Sequence, residues 1–114
     1  MTLEDVNSVY KLKCKICPAV YIGESKRPLF HRMNEHKKDI EHKRDKAVAN
    51  HCINNHDIDW KKISIPDREP NLHKRRISEM LYIQLENDAI NDKKDKQFLN
   101  NNYKTLMHII SNLN

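Results

Sequence analysis

At 114 residues the chain has room for one domain with a modest core and is too short for two. Hydrophobic residues make up 38% and charged residues 32%, so burial alone supports the fold thinly and a second source of stability is expected. A net charge of +5 favours polyanionic partners such as nucleic acid. No apolar run is long enough for a membrane helix and no apolar leader opens the sequence, so the chain reads as soluble and intracellular, with no membrane partner.

In chain order, residues 9 to 23 come first as a hairpin. Its arms, Val9 to Leu12 and Ala19 to Gly23, are rich in Val, Ile and Tyr with near alternation. Gly23 is the only glycine, and so marks a place where the backbone needs that residue. Ser25 to Pro28 turns into a helix, with Pro28 near its first position and an end near Glu41. Leu29, Met33, His36 and Ile40 form its inward stripe, and Arg32 lies on the edge of that stripe.

The charged loop EHKRDK leads to a second helix expected from about Asp45 to Asn54, with Asp45 as cap. HDIDWKKISIP reads as a third strand from about Ile58 to Ile65, ended by Pro66. Asn71 caps a helix from Leu72 to about Glu86, whose core face carries Ile77, Met80, Leu81 and Leu85. Glu79 is the acidic member of an otherwise apolar line with Leu72 and Ile83. Residues 1–92 form the domain, and 93–114 read as a linker followed by an amphipathic helix carrying Tyr103, Leu106, Ile110 and Leu113.

Cys14 and Cys17, in a CxxC turn, can direct two thiolates at one cation, and His51 and His56 supply two further ligands. A structural zinc of this Cys2His2 composition would pin the hairpin tip to the second helix. Cys52 and His42 are competing ligands of lower rank.

Tyr10 and Tyr21 face each other across the hairpin, while Arg32 and His36 point toward the sheet and Glu79 sits on an apolar face. Two phenols, a guanidinium, an imidazole and a carboxylate together suit phosphodiester cleavage. Lys26, Arg27, Lys37, Lys38, Lys43 and Arg44 trace a candidate phosphate track, which the run HKRR at 73–76 could extend.

SVY at 8–10 and YIG at 21–23, with Arg32, His36, Glu79 and Asn91, resemble the GIY-YIG endonuclease domain over about residues 8–92. The closer resemblance is to the endonuclease domain of Penelope-like retroelements, on VYIGES, HDIDW, REPN followed by KRR, EMLYIQ, and the two cysteines between the tyrosine motifs. Ser8 stands where that family usually has Gly. The resemblance implies an α+β fold, a small three-stranded antiparallel sheet flanked by helices, with the structural Zn2+ site. It implies one catalytic Mg2+ or Mn2+ on Glu79. Arg32 would bind phosphate, Tyr10 would act as the base with Tyr21 positioning or sharing the role, His36 would orient the phenol, and Asn91 would fix a loop near the site.

The expected activity is hydrolysis of duplex DNA that leaves a 3′-hydroxyl able to prime reverse transcription. A nuclear location follows from that substrate. A reverse transcriptase domain and element RNA are the implied partners, the nuclease standing here as an excised or freestanding part. A zinc-stabilised DNA-binding module without cleavage, and a structure-selective repair nuclease, are the alternatives.

Overall fold

In the computed structural model, residues 3–92 are described. The chain folds as a small α+β unit. Strand β1 (Ser8–Lys13) lies between β2 (Val20–Ser25) and β3 (Ser64–Arg68), and both pairings are antiparallel. Helices α1 (Leu29–Glu41), α2 (Ala47–His51) and α3 (Leu72–Leu85) complete the described fold, with 3-10 turns at Cys52–Asn54 and Trp60–Lys62. No described helix is long and apolar enough to cross a membrane. The expected terminal helix of residues 93–114 lies outside the described residues.

Strand alternation divides the core between the two faces of the sheet. Tyr10 and Leu12 pack with Leu29, Met33, Val48, Ile58 and Ile63 beneath α1 and α2. Val9, Val20 and Ile22 pack with Ile83 and Ala89 on the α3 side. The expected inward stripe of α1 is largely borne out: Leu29, Met33 and His36 are buried, and Ile40 packs at the margin. Pro28 takes the position just before α1, where no side chain caps the helix. The first free N–H groups donate instead to the carbonyls of Asp5 (from Leu29, 3.0 Å) and Leu3 (from Phe30, 2.9 Å).

Three expectations ahead of α3 need correction. The third strand begins at Ser64, past the expected start, because the Asp59 carboxylate accepts from the Lys61 N–H (3.2 Å) and nucleates a 3-10 turn over Trp60–Lys62. Pro66 lies within the strand and does not end it. Val9 pairs with Asp67 and Lys11 with Ser64, so Ile65 and Pro66 together oppose Tyr10 in a bulge, where a residue without an N–H costs no ladder bond. The second helix is shorter than expected: Lys46 holds the cap position of α2, and Asp45 accepts from Asn50 Nδ2 (2.9 Å).

In α3, Asn71 accepts from the Lys74 N–H (3.0 Å) as expected of a cap. The core face is rotated from the expected one. Leu85 is 75% exposed, whereas Arg75 is buried and reaches back to Glu24 (2.6 Å) and to the Glu69 carbonyl (3.1 Å). Arg75 therefore leaves the candidate basic run at 73–76. A buried guanidinium with its charge met by a carboxylate is a structural pair, not a surface for DNA.

Candidate functional site

Cys14, Cys17, His51 and His56 come together at the hairpin tip, with one ligand atom from each lying within 4.8 Å of all the others. Residues five apart on a straight α-helix project about 140 degrees apart. His51 and His56 meet because α2 gives way to the 3-10 turn, and Asn55 then adopts a left-handed conformation (φ 64°) that folds the chain back. Their rings stand 4.6 Å apart. Backbone bonds lock the tip to the same loop, Lys15 N–H to the Asp57 carbonyl (2.9 Å) and Asp59 N–H to the Lys13 carbonyl (2.8 Å).

The cluster fits a tetrahedral metal ion such as zinc. Cys14 Sγ is 3.4 Å from His56 Nδ1, and Cys17 Sγ is 3.4 Å from His51 Nε2. Ordinary Zn–S and Zn–N bond lengths set such an edge at about 3.5 Å. Burial opposes ionisation of Cys14, but hydrogen bonds from the Ile16 backbone and from His51 and His56 bring its thiol down to about 6, toward the thiolate that a metal binds. Cys52 and His42 do not join the cluster; Cys52 packs at the edge of the core, where burial pushes its thiol up to about 11.

The second cluster grows from three elements. Tyr10 on β1 pairs with Gly23 on β2, and Tyr21 pairs with Leu12, so the two phenols are diagonal neighbours with ring centres 6.3 Å apart. His36 of α1 closes the group: its Nε2 is 2.7 Å from the Tyr10 hydroxyl, and its ring centre is 5.4 Å from that of Tyr21. Arg32, one turn earlier on α1, is half-buried beside them and hydrogen-bonds Glu35 (3.0 Å). Burial works against its charge, but Tyr10, Tyr21 and Glu35 outweigh that and raise its pKa.

The two phenols differ in setting. Tyr10 is fully buried, and burial first, then Tyr21, with a smaller contribution from Glu79, raises its pKa well above the ordinary value despite Arg32. Tyr21 is half-buried and borders a cavity of ≈ 420 Å³, together with Arg32, Glu35, His36 and Asp39. Burial, and secondarily Arg32, lowers the His36 pKa to about 4. With His36 neutral and Tyr10 protonated, the hydroxyl donates to Nε2 when the imidazole proton sits on Nδ1.

Buried His36 carries a stability consequence. The unfolded chain binds a proton near the ordinary histidine value of about 6.5, and the folded one resists protonation until about 4. His36 therefore contributes fully above the upper value, and that contribution is lost as pH falls toward the lower one, by about 3 kcal/mol in all. Urea unfolding should show the wild type losing about that much more than His36→Gln between pH 7 and pH 4. Equal losses in the two proteins would mean that His36 titrates normally.

Asn91 is buried and acts as one more rung of the sheet. Its Nδ2 donates to the Ile22 carbonyl (2.7 Å), and its Oδ1 accepts from the Ile22 N–H (3.1 Å). This clamp fixes the segment after α3 to the β2 edge, aided by Ile90 N–H to the Val20 carbonyl (2.8 Å), and brings Asp92 to the cavity. Glu79 is half-buried on α3, and its charge acts on Tyr10, though it is not part of this cavity's lining. Ser8 is accommodated: it is buried, and its hydroxyl donates to the Val6 carbonyl (3.0 Å).

The candidate phosphate track is divided. Arg27 pairs with Glu35, Arg44 pairs with Asp39 (2.9 Å), and Lys37 lies over the Trp60 ring (5.1 Å). Lys26, Lys38 and Lys43 are exposed and make no ion pair among the described residues. Glu35, Asp39, Lys46 and Asp92 also border the cavity and escaped the sequence reading. Only Glu35 carried a local signal, three residues after Arg32 on the same helix. Comparison with protein-family profiles, with curated proteins and with solved structures gives no match to this chain.

Proposed function

We propose that this chain is a metal-dependent DNA endonuclease of the GIY-YIG kind, most like the endonuclease domain of Penelope-like retroelements, with a structural zinc on Cys14, Cys17, His51 and His56. The observation that carries the reading is the meeting of Tyr10, Tyr21, His36 and Arg32, drawn from β1, β2 and α1, beside an open cavity. A core built for stability alone has little use for two phenols, an imidazole and a guanidinium at one point. Their conjunction suits a reaction that moves a proton and builds negative charge on phosphate.

Arg32 holds the non-bridging phosphate oxygens through its planar fork. Tyr21, which borders the cavity, replaces Tyr10 as the base, because Tyr10 is fully buried: Tyr21 accepts the proton of the attacking water as its own hydroxyl proton passes to solvent in the cavity. Tyr10, deeper and protonated, holds His36, and that pair in turn positions Tyr21. The water oxygen bonds to phosphorus as the P–O3′ bond breaks, and the departing O3′ takes a proton from solvent, giving a 3′-hydroxyl and a 5′-phosphate. Glu79 would hold the Mg2+ or Mn2+ that the resemblance implies, a hard ion that would supply Lewis acidity. Lys26, Lys38 and Lys43 add a salt-sensitive grip on the duplex, and the nucleus is the place of action that this substrate implies.

A supercoiled-plasmid nicking assay over a Mg2+ titration tests the reading. The zinc-loaded wild type should nick, and Glu79→Ala should be slower by at least about 10²-fold. Glu79→Ala cutting at the wild-type rate would refute the metal role. DNA binding without any cutting by the wild type would leave a zinc-stabilised binding module in its place.

A further inference from the structure

Glu35 occupies an unusual position for an acid in a site read as binding phosphate. Its carboxylate accepts from Arg27 and, at 3.0 Å, from Arg32 Nη1, so one anion at the cavity wall spans two guanidinium groups, of which Arg32 lines the cavity too. A carboxylate and a phosphodiester offer a guanidinium the same arrangement of two oxygens. The three side chains are 39%, 58% and 27% exposed for Glu35, Arg27 and Arg32, so a polyanion can reach the group from solvent. No salt bridge ties Glu35 to a lysine among the described residues.

We propose that Glu35 is a displaceable stand-in for substrate: in the free protein it fills the positions on Arg27 and Arg32 that DNA phosphates take, and it must swing out as the duplex seats. The proposal rests on the reading of Arg32 and Arg27 as phosphate contacts. Its consequence is selectivity. Isolated or weakly placed phosphates compete poorly with a carboxylate already in position, whereas a duplex that engages the lysines as well displaces it.

The alternative role for Glu35, a fixed strut that holds Arg32 in its working rotamer, makes the opposite prediction. Removing a strut weakens binding, and removing a competitor strengthens it. The test is the affinity of zinc-loaded protein for a labelled duplex, followed by fluorescence anisotropy without Mg2+ over a salt series. Glu35→Gln should bind about fivefold more tightly at low salt, with a salt slope steeper by about one phosphate. Glu41→Gln removes one charge from the exposed end of the same helix and is the control for net charge.

Glu35→Gln binding no more tightly than Glu41→Gln would overturn the proposal, and weaker binding would install the strut in its place. Arg32→Gln separates this outcome from failure of the functional reading. If Arg32→Gln binds as the wild type does, Arg32 is no phosphate contact, and both the reading of that residue and the role given to Glu35 fall together.

Discussion

Stripping the metal from zinc-loaded protein is expected to unfold residues 3–92, and Cys17→Ser is expected to have nearly the same effect. The cluster joins the β1–β2 tip to the segment after α2. Exposed Ile16 and Ile53 flank the cluster and contribute little burial there. Structural zinc in small sites contributes about 10–16 kcal/mol of apparent free energy, against a total stability of about 5–15 kcal/mol for a typical domain. Elemental analysis after exchange into metal-free buffer should find one zinc per chain. Thermal melting followed by circular dichroism should then show the cooperative transition disappear on addition of chelator. A metal-poor chain that melts cooperatively at the same temperature with and without chelator would remove zinc from the account of this fold.

The second large effect lies at Gly23. An added Cβ would sit far inside van der Waals contact with Oη and Cζ of Tyr10 and 2.9 Å from Cε1. Tyr10 has nowhere to retreat, because it is fully buried and its hydroxyl is tied to His36 at 2.7 Å. Overpacking of this kind costs about 1–3 kcal/mol, and Gly23→Ala should fall at the upper end because the obstructing group is a ring fixed at its far end. If the proposed nuclease reading holds, the same change should slow nicking by about 10²-fold, since the phenol that holds His36 is displaced. A double-mutant cycle isolates the cause. In a Tyr10→Leu background, which removes the ring, Gly23→Ala should cost far less in urea unfolding. The same cost in both backgrounds would show that the clash is not with Tyr10.

Gly23 also illustrates how much of the site was legible before the fold. A lone glycine marked the position as one where the backbone needs it, but the reason, a ring packed against it, was not written in the sequence. The occupant follows from register: Tyr10 stands opposite Gly23, and Leu12 opposite Tyr21, a pairing that leaves the Tyr10 ring over bare backbone. The hairpin, the stripe of α1, the Asn71 cap of α3 and the Cys2His2 set were readable because each is written in residues close along the chain, through alternation, helical spacing, a capping side chain or ligand spacing.

Chain-local patterns determined the strand and helix types, the inward direction of His36 and the four candidate ligands. Tertiary structure alone decided the bulge that admits Pro66 into β3, the break that turns His56 back toward His51, the burial of Arg75 on Glu24, and the partition of the two phenols into a buried Tyr10 and a cavity-facing Tyr21. The reason is physical. Propensity, capping and periodicity act over a turn or a few residues, whereas charge pairing, desolvation and register depend on which distant segment arrives alongside. Glu35 on α1 and Asp92 after α3 border the same cavity although they are far apart along the chain, and only the packed fold brings them there.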